Sequence, residues 1–396
     1  MFEDVPSLED LPSVDGARVL VRADLNVPLH RSLDGPMVIA DDFRLRAVLP
    51  TLEWLVNHGA RVTVASHLGR PEGHPDPDLS MDPVRVRLQE LVPGVDLLEN
   101  LRFDRGEEAN DPEFGLALMR GQSLYVNDAF GVCHRAHASV MFPPTVVPSA
   151  AGRLLRHELD VLGGVIDNPA RPFTLVVGGA KVSDKLGTIR ALAEKADGIL
   201  VGGAMAFTFL AATGRSVGSS PVDVSEIDAC RSLLEEGYHI DLPSDLVAAP
   251  VADPFGRREP PGSAARHFDG EIPSGWQGFD IGPETAGRFG RAIEGSATVL
   301  WNGPMGVAED PRFQAGTNEI AGAVARCGGF TVVGGGDTVS AVRSLGVSDR
   351  VDHLSSGGGA MLRLIERGDL PGLAALRASK DRWTAPGGIL ERHPVR

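Results

Sequence analysis

Hydrophobic positions along the first third of the chain follow two alternating rhythms. Residues 17–23 (ARVLVRA) form a short apolar, β-branched run of the kind that fits a buried strand. In residues 44–58 the apolar side chains Leu45, Val48, Leu49, Leu52, Leu55 and Val56 recur at helical spacing. Gly59 stops that helix, and residues 61–66 (RVTVAS) read as a second strand. A strand, a helix and a strand in succession predict a parallel sheet covered by helices. Such a sheet takes ligands at the carboxyl ends of its strands.

Further on, Leu155, Leu159, Leu162 and Ile166 line one face of a helix expected over 151–168, and Pro169 and Pro172 end it. This helix is expected to connect two lobes. The second half repeats one pattern three times, an apolar strand running into paired or tripled glycines and then a helix. The strands are 174–177, 198–201 and 331–333; the turns are Gly178-Gly179, Gly202-Gly203 and Gly334-Gly335-Gly336. Residues 214–274 carry little pattern, with a surface loop expected over 250–262. The last twenty residues read as irregular.

Length and composition change this picture only in part. A chain of 396 residues exceeds one compact core and fits two domains. A formal net charge of -15 argues against nucleic acid or an anionic membrane as partner. Cys133, Cys230 and Cys327 are scattered, without a C-x-x-C pair, as suits a reducing cytosol. The acidic, proline-broken N-terminus is no secretion signal, and no apolar run approaches the ~20 residues of a membrane span. Lysine occurs only at Lys181, Lys185, Lys195 and Lys380, although arginine is abundant. The close pair Lys181 and Lys185 therefore stands out.

Strand ends and following loops of the first half carry Arg22, Asp24 and Asn26 (VRADLNVP), Arg44, His67 and Arg70 (SHLGRP), Arg102 and Arg135. Arginine's planar fork matches phosphate and carboxylate oxygens in a way lysine cannot copy. Any one of these could be a surface salt bridge of small consequence. Five arginines gathered at strand ends and turns are harder to dismiss. Asp24 and Asn26, two apart in an extended segment, would face the same way and could grip a hydroxyl of a small sugar acid. His67, His134 and His137 invite a zinc reading, but no third ligand completes a set at metal spacing. Help in binding phosphate suits a histidine here better.

In the second half, GGAKVSDK places Lys181 and Lys185 after a strand and a glycine turn. If a helix begins there, i and i+4 put both ammonium groups on one face near the positive end of its dipole. The Walker A pattern is absent. Gly336-Asp337-Thr338 offers a second turn with a carboxylate suited to Mg²⁺, and Gly357, Gly358 and Gly359 a third cluster of amides. Each glycine cluster alone could equally serve close packing. No Ser-His-Asp triad or acid–base carboxylate pair stands out. A nucleophile already ionised at neutral pH needs only positioning and charge neutralisation. A dinucleotide oxidoreductase, prompted by VVGGGDTV, lacks G-x-G-x-x-G, and a non-catalytic two-lobed binding protein would not need both lysines.

These motifs together resemble phosphoglycerate kinase. VLVRADLNVP, SHLGRP, LLENLRF, YVNDAFGVCHRAHAS, RPFTLVVGGAKVSDK, GGAMAFTFL, GFDIGP, WNGPMGV, VVGGGDT and SSGGGA follow the family's order from residue 17 to about 376. The resemblance implies an α/β fold of two Rossmann-like lobes, each a parallel sheet covered by helices. The expected domains are 1–150 for phosphoglycerate, an interdomain helix over 151–170, and 171–370 for nucleotide. A terminal segment over 371–396 would return to the first. It implies reversible transfer of a phosphoryl group between 1,3-bisphosphoglycerate and ADP, with Mg²⁺, in line and in a closed interdomain cleft. A cytoplasmic monomer that bends at a hinge is expected. By family pattern Asp24, Asn26, Arg44, His67, Arg70, Arg102 and Arg135 would hold the phosphoglycerate. Arg44, Lys181 and the amides of Gly357, Gly358 and Gly359 would stabilise the moving group. Gly179, Ala180, Lys181, Lys185, Gly336, Asp337 and Thr338 would take the nucleotide phosphates, Asp337 through the metal. Gly282, Asn302 and Glu309 would line the nucleoside pocket, Glu309 by bonding a ribose hydroxyl. Departures from the family pattern include Leu25 and Ala308, each where Phe is usual, Glu284 for Lys, and Arg363 for an acidic residue. Ala308 bears on nucleotide preference.

Overall fold

In a computed structural model that describes residues 1–32, 35–251 and 265–384, the apolar run Arg18–Ala23 (β1) is the central strand of a five-stranded sheet. With Arg61–Ala65 (β2), Asp96–Leu97 (β3), Leu124–Asp128 (β4) and Ser149–Ala151 (β5), its order is β3-β2-β1-β4-β5, and every pairing is parallel. Five of the six β1 residues and all five of β4 are buried, as a sheet covered on both faces requires. The helix Phe43–Asn57 buries Leu45, Val48, Leu52 and Leu55 against that sheet, and Gly59 takes φ +84° where the chain turns back. Register aligns Arg22 with Ala65 and Asn127, and Ala23 with Asp128. The loops leaving β1, β2 and β4 therefore open on one edge, where the strand order reverses.

A second sheet is built likewise from Phe173–Val177 (β6), Gly198–Val201 (β7), Ile240–Asp241 (β8), Thr298–Asn302 (β9), Phe330–Gly334 (β10) and His353–Leu354 (β11). Its order is β8-β7-β6-β9-β10-β11, again all parallel. Trp301, Phe289, Ile320 and Val333 are fully buried in its core. Val177, Asn302 and Gly334 end three neighbouring strands in register, so three glycine turns share one edge. There the backbones touch: a Cβ on Gly303, whose φ is +100°, would lie 2.2 Å from the Gly178 carbonyl oxygen.

The chain divides into two compact units, Met1–Gly163 with the segment from Arg367 onward, and Gly164–Glu366. The helix Arg153–Asp167 runs across the division, burying Leu155, Leu159, Leu162 and Ile166. Two regions differ from the sequence expectation. Residues 214–274 contain most of a three-stranded antiparallel sheet, in which Asp245–Pro250 pairs with both Arg266–Asp269 and Trp276–Ile281. The first part of the supposedly irregular tail is helical, in Pro371–Thr384, because Leu373 and Leu376 bury one face against unit 1. Of the loop expected over 250–262, Pro250 instead ends the strand Asp245–Pro250, and residues 252–262 lie outside the described residues, as does the end of the tail.

Asp128, at the end of β4, anchors the start of the helix Arg153–Asp167. Its Oδ1 accepts from the Leu155 amide at 3.0 Å, and Thr51 accepts from the Arg153 amide at 2.7 Å. Burial pushes the Asp128 carboxyl up to about 6 against the opposing bonds from Thr51, Leu155 and Leu154. Its folded-state value thus exceeds the ordinary one, so the proton it binds favours the fold. That stability is complete below about pH 4 and is lost as pH rises through 6. In urea unfolding, the stability advantage of Asp128→Asn over the parent should grow by about 3 kcal/mol from pH 4 to 6 and then level off.

Candidate active site

On unit 1 the site is built around a guanidinium that never reaches solvent. Arg22, 1% exposed, points its Nε to Ser139 Oγ at 2.8 Å, one terminal nitrogen to the Ala23 carbonyl and the other to His67 Nδ1 at 3.2 Å. Buried Glu107 backs it, 3.9 Å away, and accepts from both the amide and the hydroxyl of Ser139. One of the five sequence-selected arginines is thus an internal brace, since a guanidinium on the last turn of a central strand points into the sheet's cover. Burial, reinforced by Arg22, Arg102 and Arg44 and opposed by Asp24, pushes His67 well below its ordinary value, so the ring is neutral. With Nδ1 accepting from Arg22, its proton sits on Nε2.

Asp24 and Asn26 do not lie in an extended segment as expected. The chain tightens after β1, with the Asn26 amide donating to Asp24 Oδ1 at 3.3 Å and Val27 to the Leu25 carbonyl at 2.8 Å, because Asp caps its own turn. Asp24 pairs with Arg44 in the first turn of the helix Phe43–Asn57. Burial would raise its carboxyl, but Arg44 and Arg22 outweigh it and hold the group near 2. Asn26 Oδ1 accepts from the Gly69 amide at 2.9 Å, and Arg102 donates to the Gly69 carbonyl at 2.7 Å. The SHLGRP loop is thereby fixed from both sides. Arg102 also faces Glu108 at 3.1 Å. The side chains of exposed Arg70 and half-buried Arg135 have no protein partner among the described residues. Arg102, Arg22 and Arg135 add to burial in holding His137 down to about 4. The structure therefore gathers Asp24, Asn26, Arg44, His67 and Arg102 into one bonded network, with Arg135 acting on it electrostatically. Glu107 and Ser139, essential to that network, gave no sequence signal: Glu107 reads as one of many surface acids.

On unit 2 the helix after β6 does not begin at Lys181. It spans Leu186–Ala193, after a turn closed by the Lys185 amide on the Val182 carbonyl at 2.9 Å. Lys181 is an exposed loop residue and Lys185 the residue before the helix, so they do not share a helical face. Lys185, half-buried, donates to Asn302 Oδ1. Burial pulls its ammonium down to about 8, against the pull of Asp184 and Asp337. The Asn302 Nδ2 is buried without a hydrogen-bond partner. Asn302 thus sits beside the lysine and the glycine turns: a Cβ on Gly335 would lie 3.4 Å from that Nδ2. Thr338, fully buried, accepts from the Gly303 amide at 2.8 Å, leaving its hydroxyl proton as donor. The helix Gly336–Ser344 starts with exposed Asp337 in its first turn. Gly358 packs on Gly335, where a Cβ would meet the Gly335 Cα at 2.5 Å, so the turns of Gly334–Gly336 and Gly357–Gly359 are apposed backbone to backbone. Exposed Glu309 has no side-chain partner among the described residues. Gly282 begins the helix Pro283–Glu294 against Asp245 and shares no bond with the lysine cluster.

Among the described residues no group of three His, Cys, Asp or Glu could enclose a metal ion. A lone exposed carboxylate at a helix N-terminus does fit Mg²⁺, which takes most of its ligands from water and substrate phosphates. Exposed Lys181, without a side-chain partner among the described residues, suits a polyphosphate beside Lys185 and the apposed glycine turns, and the orphaned Asn302 amide offers a further donor. The free arginines around a neutral histidine suit a smaller anion.

The phosphoglycerate kinase family model matches residues 8–97 and 93–368. The phosphoglycerate kinase of Frankia alni is 50% identical over 404 residues, covering 93% of this chain and 99% of its own. That of Rubrobacter xylanophilus is 47% identical, covering 94% and 98%. Among solved structures, phosphoglycerate kinase from Coxiella burnetii has a TM-score of 0.79 at 32% identity, and that from Pyrococcus horikoshii 0.80 at 28%. Each covers 94% of this chain and 98% of its own.

Burial brings the Lys185 ammonium down to about 8, so any anion that depends on its charge should be held less firmly as pH rises through that value. Calorimetric titration with ADP should show affinity falling about tenfold per pH unit above 8, and Lys185→Arg should flatten the profile.

Proposed function

This chain belongs to the phosphoglycerate kinase family, and from that premise we propose how its residues carry out the reaction. The enzyme reversibly transfers a phosphoryl group between 1,3-bisphosphoglycerate and ADP, in glycolysis. In the direction of ATP use, a carboxylate oxygen of 3-phosphoglycerate forms a bond to the γ-phosphorus. The bond to the β–γ bridging oxygen breaks, and its electron pair leaves with ADP. No proton moves, because nucleophile and leaving group are both anions near neutral pH. Catalysis therefore rests on positioning and on neutralising charge.

Unit 1 is the phosphoglycerate half. Arg70, Arg102, Arg135 and His67 bind its phosphate and carboxylate, and Asp24 and Asn26 its hydroxyl. The observation that carries this assignment is the unpartnered state of Arg70 and Arg135 beside a network in which every other charge is spoken for. Arg44 holds Asp24 while its remaining donors serve the moving phosphoryl group. Unit 2 is the nucleotide half. Gly179, Ala180, Lys185, Gly336 and Thr338 bind the phosphates, and Gly282, Asn302 and Glu309 the nucleoside. Lys181 neutralises the transferring group with the amides of Gly357, Gly358 and Gly359. Asp337 would hold Mg²⁺, which supplies charge neutralisation on the nucleotide phosphates. The two ligands must meet for the bond to form, so the cycle includes an in-line alignment reached by bending at a hinge, with water excluded. A cytoplasmic monomer acting on small molecules, with neither nucleic acid nor membrane as partner, is consistent with the -15 charge. Among the described residues, no helix is long and apolar enough to cross a membrane.

In a coupled assay with ATP, 3-phosphoglycerate and Mg²⁺, Lys181→Ala and Arg44→Ala should each lower kcat by roughly 100-fold or more. Lys181→Arg should also lose most of its activity, because a broad fork replaces a compact ammonium. Wild-type turnover at background level would refute the reading. Unchanged kcat in either alanine variant would remove that residue from it.

A further inference from the structure

Glu309 is exposed and unpartnered among the described residues, so its place is set by how the two ends of its loop are held. That loop runs from Asn302 to the helix Ala315–Arg326, and both its ends meet one buried carboxylate. Asp280, in the strand Trp276–Ile281, is 2% exposed. Its Oδ2 accepts from the Gly316 amide at 2.7 Å, in the first turn of the helix, and its Oδ1 accepts from the Ile281 amide at 2.9 Å. A Cβ on Gly306 or on Gly316 would lie 2.3 Å from Oδ1, so both residues are glycine against this carboxylate. Thr317 completes the clamp, its Oγ1 accepting from the amides of Met305 at 3.0 Å and Gly306 at 3.2 Å. The neighbouring Phe279 accepts from the Val307 amide through its carbonyl and stacks its ring on Phe313 at 4.6 Å.

We propose that Asp280 is a positioning residue for the nucleotide, clamping both ends of the loop 303–314 so that Glu309 is presented to the ribose. The proposal rests on the reading of Glu309 given above. Asp280's partners are backbone amides, and among the described residues no ion pair compensates it. Burial pushes it up to about 7, against the opposing amides of Gly316 and Ile281. Asparagine would fill the same space without a buried charge, but its NH2 would face one of the two backbone N–H donors, so only a carboxylate accepts from both. A charged acceptor holds a helix N-terminus and its amide more firmly than a neutral one.

The test is steady-state kinetics of Asp280→Asn, with urea unfolding at pH 8. The expected result is a KM for ATP raised about fivefold, with KM for 3-phosphoglycerate and kcat within about twofold. Stability should stay close to that of the parent, because removal of the buried charge offsets the one amide bond that asparagine cannot accept. Thr317→Val, which removes the other half of the clamp, should raise the same KM. Combining Asp280→Asn with Glu309→Gln should raise it no further than Glu309→Gln alone, because both act through one contact. An unchanged KM for ATP in Asp280→Asn while Glu309→Gln raises it would overturn the clamp and leave the ribose contact standing. An unchanged KM in Glu309→Gln would overturn the ribose contact itself, and with it this proposal. Equal rises in both KM values with loss of stability would reduce Asp280 to a structural residue.

Discussion

Parallel register is the constraint on which both half-sites depend. In a parallel sheet covered on both faces every strand points the same way, so all the loops that leave carboxyl ends collect on one edge. Arg22 is level with Asn127 and Ala65 in one sheet, and Val177 with Asn302 and Gly334 in the other. Residues more than a hundred positions apart thereby become neighbours without any long loop having to reach. The glycines at the second edge follow from the same constraint. Strand ends that converge bring backbones together at distances where a methyl group would collide, as Gly303 does on Gly178.

The sheets, their parallel sense and the helix Phe43–Asn57 were legible because apolar periodicity is a local property of the chain. The antiparallel sheet around Asp245–Pro250 was not, because its strands are short and its pairing is decided by partners 18 to 35 residues away. The tail helix was missed for a different reason. Leu373 and Leu376 mark its buried face, but the alanines, Ser379 and charges around them carry no comparable signal until unit 1 supplies a surface to pack on. Residue type pointed to Arg70, Arg135 and Lys181 as cations available to an anion. It could not separate them from Arg22, whose engagement by Ser139, His67 and Glu107 is tertiary. Nor did spacing place the lysines correctly. An i, i+4 interval describes a helical face only where the helix has begun, and here a turn intervenes.

Within each half-site the cations fall into two kinds. Arg22, Arg44, Arg102 and Lys185 are held by protein oxygens or a ring nitrogen, and so keep fixed directions in the free protein. Arg70, Arg135 and Lys181 are uncommitted among the described residues. Fixed groups give a ligand its orientation with little entropy lost on binding, and uncommitted ones give it charge without first breaking a bond. Neutral His67 fits the first kind, since it adds a directed donor to a region already crowded with positive charge.

The division of the chain has a consequence for synthesis on the ribosome. Unit 2 is one uninterrupted stretch, Gly164–Glu366, whereas unit 1 is assembled from two. The helix Pro371–Thr384 hydrogen-bonds Gly372 to the Cys133 carbonyl and pairs Arg377 with Asp4 at 2.5 Å. These contacts tie it to the oldest part of the nascent polypeptide. The half that is translated first is therefore the half completed last. Its sheet can form early, but its final packing must wait until the whole of the other half has emerged, which reverses the usual order of domain completion from the N-terminus.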